Sequence, residues 1–504
     1  MLEEERKYDV DPSFALPDLS GVGAQVVELP PVTLRATYYD TADLRLARAG
    51  VSLRYRRGDS QPWTVKLPSD VPGVRHEISR RGAPGAIPAD LEALVTVWRR
   101  GSALAPAIVL RSVRHAYELR SSSGDVLAEL ADDTVTALDG RRVVIRFREL
   151  EVERKEGGRK LLDRIESALG TTPGEFVPKH VRALGAAAAG PPDLPAAVDI
   201  KPRRATAGDV VTAAVRRAVA RILNHDPLVR LRAPVGDDDT AVHQMRVGCR
   251  RLRSDLRTFA PLVDSAWSTA VRDELSWLAD QLGAARDAEV LRARLRDTAG
   301  ADPLAPLDEE AVARIDAALV ARHDEALATL DKSLASDRYL SLVDTLLAAA
   351  QRPRLADLAA EPATEVLPKL VAKPWRKLAY GDRGVDGASD LDPAAADERW
   401  HAVRIRGKRA RYAVEAVAGA LGGPATELGR ALARVQELLG EHQDAAVAAQ
   451  TWLAIAQSAP ADHQMAVTAG RLCERERASI HRVRAAFPEA WRAANRKRLT
   501  EWLP

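Results

Sequence analysis

Two stretches of this chain repeat one arrangement of cationic side chains. In the first, His243, Arg246, Arg250 and Arg253 follow one another at steps of three, four and three. In the second, His401, Arg404, Lys408 and Arg411 keep the same steps. On a helix of about 3.6 residues per turn these positions form one stripe. Arg257 lengthens the first stripe, whereas Glu415 takes the matching place in the second. Met245, Leu252 and Leu256, like Val403, Ala410 and Val414, give each helix an adjoining apolar face. A solvated helix face usually mixes signs, so that residues four apart pair. The first stripe carries no acid, and its self-repulsion calls for an anionic partner. Arginine grips phosphate through parallel hydrogen bonds, so a phosphate chain is the expected ligand. Arg251, Arg286 and Arg409 complete the candidate set. The two imidazoles would gain charge beside phosphate, and so many cations would repel a metal.

A different chemistry opens the chain. Glu3, Glu5 and Lys7 alternate, and so do Glu149, Glu151 and Glu153. On strands, alternate side chains share a face. Carboxylates packed side by side repel one another unless a divalent cation or basic partners lie between them. Arg54 with Arg56, Lys66, Arg75 with Glu77, and Arg114 lie on further candidate strands and supply such partners. If these strands close into a barrel, acids and bases share its lumen. Ion pairs there for structure alone would carry a heavy desolvation cost. A divalent metal and an anionic phosphate chain make better chemical sense of them.

The elements that position these groups differ in texture. Residues 1 to about 185 read as short strands broken by Gly, Pro and Asp turns, which predicts an antiparallel barrel or sandwich. Examples are Val51 to Arg56, Trp63 to Leu67, Ile108 to Leu119 and Arg142 to Glu153, followed by a helix from Lys160 to Leu169. Residues 186–206 read as a Pro-bearing linker. Residues 207–504 read as helices in bundles, among them Ser268 to Leu282, Pro424 to Leu439 and Ala445 to Ala456. Leu282-Gly283-Ala284-Ala285-Arg286-Asp287 matches Leu439-Gly440-Glu441-His442-Gln443-Asp444. Each follows its histidine at nearly equal distance, 40 and 39 residues to the glycine. That spacing predicts duplicated halves, about 207–352 and 360–504, related by a pseudo-two-fold axis.

Composition narrows the partners. In 504 residues, 74 Lys and Arg nearly balance 71 Asp and Glu, so net charge of +3 says little and local arrangement carries the reading. Aromatics make up only 4%, which offers little base stacking and makes nucleic acid the poorer match for the Arg helices. Two cysteines argue against a disulfide framework or a structural zinc site. No apolar run approaches the ~20 residues of a membrane span, and the acidic start lacks a signal-peptide core. A cytoplasmic protein is expected, with no membrane partner. Oligomeric state is not readable.

The second half resembles the CHAD domain, the conserved-histidine α-helical domain. His243-x-x-Arg246-Val247-x-x-Arg250-Arg251-Leu252-Arg253-Ser254 carries the likeness, reinforced by Leu282-Gly283-x-x-Arg286-Asp287. The resemblance implies two four-helix bundles around a basic surface that binds inorganic polyphosphate, with granule association in the cell. The second copy departs from the first, with Lys408 for Arg250 and Gln443 for Arg286. The first half resembles the CYTH family, the triphosphate tunnel metalloenzymes. Glu3-x-Glu5-x-Lys7, Tyr38-Tyr39-Asp40-Thr41, Leu53-Arg54-Tyr55-Arg56, Thr64-Val65-Lys66-Leu67-Pro68 and Glu149-Leu150-Glu151-Val152-Glu153 occur in the family's order. Pro178-Lys179-His180-Val181-Arg182 looks like its C-terminal lysine segment.

This second resemblance implies an eight-stranded antiparallel tunnel that hydrolyses triphosphates with Mg²⁺ or Mn²⁺. Lys7, Arg54, Arg56, Lys66 and Arg114 would grip phosphates, joined by Arg75 and Lys179. Glu3, Glu5, Glu149, Glu151 and Glu153 would hold metal, with Asp133 a further candidate. Inorganic triphosphate is the expected substrate, ahead of nucleotide or thiamine triphosphates. Two other readings stand beside this one: a non-catalytic polyphosphate-binding adaptor, and a nucleic-acid-binding protein.

Overall fold

A computed structural model describes the chain except residues 1, 23–24, 70, 72, 173–176, 198–199, 201–203, 237–238, 383 and 459–460, together with the side chains of residues 2 and 3. The Glu3 side chain therefore lies outside the described residues. The chain divides into two compact units, residues 1–193 and 194–504.

The first unit contains strands β1 (Leu2–Val10), β2 (Gln25–Glu28), β3 (Val32–Asp40), β4 (Ser52–Arg57), β5 (Trp63–Pro68), β6 (Val74–Arg80), β7 (Ala105–Arg120), β8 (Val126–Asp139) and β9 (Arg142–Arg154). Eight of them close in the order β7-β3-β4-β5-β6-β1-β9-β8, because β8 pairs with β7 as well as with β9. All these pairings are antiparallel, and β2 adds to β7 beyond the end of its pairing with β3. The result is a barrel rather than a sandwich. Its helices are α1 (Arg45–Arg48), α2 (Ala89–Leu94), α3 (Thr96–Arg99), α4 (Arg159–Leu169) and α5 (Lys179–Leu184).

Strand alternation decides what faces the lumen. On β9, Leu150 and Val152 turn outward and pack under Leu161, Leu162 and Ile165 of the amphipathic α4. Glu149, Glu151 and Glu153 are thereby turned inward. One end of the lumen is apolar, lined by Ala36, Tyr38, Ile108, Val135, Ala137 and Phe147. The short α5 inserts there: Ala183 joins that cluster, and the Arg182 guanidinium sits 4.3 Å from the Phe147 ring centroid.

The second unit is helical: α6 (Ala207–Leu231), α7 (Ala241–Thr258), α8 (Ser265–Gly300), α9 (Glu309–Leu334), α10 (Asp337–Gln351), α11 (Ala363–Tyr380), α12 (Asp397–Leu421), α13 (Gly423–Ser458), α14 (His463–Ala494) and α15 (Lys497–Thr500). Side-chain oxygens of Thr240, Asp264, Asp308 and Ser336 cap the starts of α7 to α10. Sequential helices pack side by side from α6 to α10 and from α11 to α14, and α7 also packs against α12.

Two expected boundaries fall inside helices. The pattern predicted breaks after Leu282 and Leu439, yet α8 and α13 run through Gly283 and Gly440. Gly283 is there for space: a Cβ would come within 3.3 Å of Arg246 Nη2. Gly248 does the same for backbone approach, since a Cβ would lie 2.7 Å from Ile222 on α6. Packing thus overrides the usual cost of glycine in a helix, about 1 kcal/mol. Among the described residues no helix is long and apolar enough to cross a membrane. Cys249 is buried and Cys473 half-buried, and neither is in a disulfide.

Candidate functional site

The tunnel wall is divided by charge. Acids come mainly from β1, β8 and β9, with Glu77 from β6, and cations mainly from β4, β5 and β7. They enclose about 250 Å³, lined by Glu5, Lys7, Arg54, Arg56, Lys66, Arg114, Glu151, Glu153 and Lys179 of the expected set. Tyr38, Glu77, Glu129 and His180 also line it.

Strand register sorts the acids into rows. Glu5 on β1 stands opposite Glu153 on β9, and Glu153 stands opposite Glu129 on β8. Like charges directly opposite across a sheet repel, so this row has an open demand for a cation. In the next row Lys7 stands opposite Glu151 and donates to its Oε1. Glu151 Oε2 receives Lys179 Nζ at 2.6 Å and Arg114 Nη2 at 3.3 Å. Burial opposes ionisation of Glu151, but Lys179, Lys7 and Arg114 together hold its carboxyl well below the usual range. One row deeper, Asp133 is fully buried. It accepts a two-pronged bond from Arg114 at 2.9 and 2.7 Å, and Lys179 at 2.5 Å.

The opposite wall is cationic. Lys66 Nζ lies 2.9 Å from Glu77, and Arg56 lies 2.5 Å from Asp59. Arg54 is half-buried; desolvation works against its charge, but Tyr38 and Glu77 raise its pKa above the ordinary value. Its Nε is buried without a hydrogen-bond partner.

Two expected ligands stand apart from the cavity. Arg75 is buried and donates to the backbone carbonyls of Gly50 and Lys66, so it braces the wall instead of lining the lumen. Glu149 lies beneath the lining, 3.3 Å from Lys179, with its carboxyl pushed up by burial. The sequence reading missed Glu129 and His180. Glu129 shares a face of β8 with Asp133, and that alternation was the available signal. His180 is 4% exposed, stacks on Tyr38 with centroids 4.8 Å apart, and is pushed down to about 3 by burial and then by Arg75. It is a neutral imidazole whose Nε2 has no hydrogen-bond partner.

The all-oxygen donor row Glu5, Glu153 and Glu129 suits Mg²⁺ or Mn²⁺ in its chemistry. Among the described residues no three acidic, histidine or cysteine side chains already converge on one point as a ready cage. Glu153 instead pairs with Lys155.

In the second unit the two histidine helices form one cluster. Lys408 is pushed down to about 7, first by burial, then by Arg404 on its own helix and Arg250 on α7. Arg246 is pushed down to about 10 by burial and then by Arg250. Acids touch only its edges: Asp287 is 3.6 Å from Arg246, and Asp444 is 3.9 Å from Arg404. Arg286 bonds Glu289 at 3.1 Å, and its charge bears on His243. His243 is pushed down to about 4 by burial and then by Arg286, so it is neutral here, not charged. His401 Nδ1 meets Gln443 Oε1.

Other members of the expected set sit elsewhere. Arg251 bridges Asp255, at 3.4 Å, and Glu415, and its guanidinium lies 4.9 Å from the Tyr412 ring centroid. It ties α7 to α12 rather than joining the cluster. Arg411 is drawn to the same Glu415 at 3.5 Å. Arg253 acts on Arg257 and Arg409, away from Lys408. Trp375 is core, stacked on Trp491.

Known proteins share both halves. Residues 1–171 match the CYTH domain, and residues 213–453 match the CHAD domain. Uncharacterized protein Rv2226 of Mycobacterium tuberculosis is 33% identical, over 97% of this chain and 96% of its own. Among solved structures, PptA from Streptomyces chartreusis is 24% identical, covering 57% of this chain and all of that one, at a TM-score of 0.44. The CHAD domain from the plant Ricinus communis is 25% identical, covering 59% of this chain and 95% of that one, also at 0.44. With both domains matched in order and a relative aligned nearly end to end, the chain belongs to the family that joins an N-terminal CYTH domain to a CHAD domain.

Proposed function

We propose that the tunnel hydrolyses a triphosphate, inorganic triphosphate first, and that the helical unit binds inorganic polyphosphate. One observation carries the reading. Lys7, Arg54, Arg56, Lys66, Arg114 and Lys179 surround one 250 Å³ cavity together with Glu5, Glu129, Glu151 and Glu153. So many half-buried charges around one cavity are costly unless a ligand uses them.

In this reading the cations hold the phosphates, and Glu151 is the hinge of the exchange. Both of its oxygens are engaged by Lys7, Lys179 and Arg114. Phosphate oxygens entering the cavity compete for those three cations. Glu151 is then released toward Glu5, Glu153 and Glu129. A divalent ion, Mg²⁺ or Mn²⁺, held by these carboxylates would supply charge neutralisation and an activated water. In the second unit, Arg246, Arg250, Arg404 and Lys408 bind polyphosphate oxygens, with His243, His401 and Arg286 at the margin. We place this activity in the cytoplasm, at polyphosphate granules.

The deciding experiment is phosphate release with Mg²⁺ and with Mn²⁺, comparing tripolyphosphate, ATP, thiamine triphosphate and long polyphosphate. Metal-dependent release from tripolyphosphate, lost in Glu5→Gln, supports the reading. A second reading, a non-catalytic polyphosphate adaptor, is favoured by the saturation of Glu151. Tight binding of long polyphosphate without release from any of the four would establish it. Equal competition by duplex DNA at moderate salt would turn the reading toward nucleic acid.

A further inference from the structure

The stripe expected on α7 splits in two, and its far half borders a second cavity. Arg257 and Thr258 of α7, Lys373 and Pro374 of α11, and Arg406 and Arg409 of α12 line a groove of about 480 Å³. Its charge is lopsided. Arg257, Lys373 and Arg409 form no ion pair among the described residues. Arg406 donates to the Asp386 carbonyl at 2.6 Å, and Lys377 pairs with Asp382. Arg257 is held below its ordinary pKa by burial and then by Arg409; Arg409 by burial and then by Arg406.

The floor differs from that of the Lys408 cluster. Leu370, Pro374 and Val385 give it an apolar base. Val385 is 42% exposed, so this base is open to a ligand. The buried Ser254 Oγ in the wall has no hydrogen-bond partner. A bare phosphate chain satisfies the arginines but leaves the apolar floor wet. A flat, partly apolar body carrying a phosphate tail satisfies both. The volume lies within the usual range for small-ligand sites, about 300–1,000 Å³.

From this geometry we propose that the groove between α7, α11 and α12 is a binding site for a nucleoside phosphate. Its base lies on Leu370, Pro374 and Val385, and its phosphates on Arg257, Arg409 and Lys373. The site is separate from the tunnel and does not rest on the tunnel's activity.

ADP is the probe, because it lacks the triphosphate the tunnel is read to take. Titration calorimetry on the full chain in a Lys7→Ala/Arg54→Ala background should still show one ADP site. Irradiation with 8-azido-ADP should label a peptide from α11 or the Val385 loop. Arg409→Ser should weaken ADP at least tenfold. Leu370→Asn should weaken ADP about fivefold or more while leaving long-polyphosphate affinity unchanged. Val385→Asn, at an exposed position, repeats the test should Leu370→Asn fail to fold. Labelling confined to residues 1–193 overturns the proposal. So does an ADP affinity indifferent to both floor variants, or a proportional loss of ADP and polyphosphate in them, which would make the groove a stretch of the polymer's track.

Discussion

The Lys179 ammonium lies 2.6 Å from Glu151 Oε2 and also reaches Asp133 and Glu149. One side chain from the short α5 thus holds together three acids from two strands. Replacing it with Met leaves Asp133, Glu149 and Glu151 facing Lys7, Arg114 and, at 4.0 Å from Glu149, Arg182. Breaking one side of a buried ion cluster costs about 3–5 kcal/mol. Urea unfolding of Lys179→Met should show a loss of that order, and phosphate release should fall at least tenfold. An unchanged urea midpoint would refute the bracing role.

Arg75 should behave in the opposite way. It donates to the backbone of β5 and of the turn before β4, outside the cavity lining. Arg75→Met is expected to lower Tm by several degrees while the folded protein keeps its KM for tripolyphosphate. A raised KM with unchanged Tm would return Arg75 to the substrate.

The row Glu5, Glu153 and Glu129 gives the proposed metal requirement its test. Glu129→Gln should raise the Mg²⁺ concentration for half-maximal phosphate release about tenfold or more. Chelation with EDTA should abolish release yet leave polyphosphate binding by residues 194–504 of the full chain intact. Loss of both together would mean that the two units share one metal-dependent ligand.

If the helical unit binds polyphosphate as proposed, Lys408 should make that binding depend on pH. Burial and its arginine neighbours bring it to about 7, so near neutral pH a large fraction of the free protein carries it uncharged. A bound polyanion favours the protonated form, so binding takes up a proton at and above pH 7. Affinity for long chains, whose internal phosphates do not titrate there, should fall as pH rises from 7 to 9, by about tenfold per unit at most. Lys408→Gln should flatten that slope. A wild-type affinity constant from pH 6 to 9 would contradict it.

The copies should contribute unequally. Arg250 bears on Arg404 and Lys408 across the helix pair, whereas Arg411 is drawn to Glu415. Arg250→Ala should cost about tenfold in polyphosphate affinity and Arg411→Ala about twofold. The salt dependence should also become shallower by about one phosphate contact for Arg250 alone. Equal losses would mean that Glu415 releases Arg411 on binding.

Much of this was legible in the chain because it depends on local period. The alternation of Glu149, Glu151 and Glu153 gave both the strand and the inward face. The three-four-three steps gave the helix and its stripe. What sequence could not show is which stripe faces which. Arg251 belongs to the same run as Arg250, yet its partner Glu415 lies 164 positions away. Arg257 continues the stripe, but it lines another groove, bounded by α11 and α12. Glu129 was hidden because its row partners are on other strands, and Gly283 read as a break because the arginine it accommodates sits on a different helix.

The insertion of α5 has a consequence for traffic. With Ala183 and its apolar neighbours packed into that end of the barrel, a substrate of the proposed reaction would enter and leave by the other end. A long polymer can offer only its tip and cannot be threaded through and cut repeatedly from within. If the tunnel cleaves as proposed, the fragment lying deeper would wait behind the other, so departure would be a queue in which the last to enter is the first to leave.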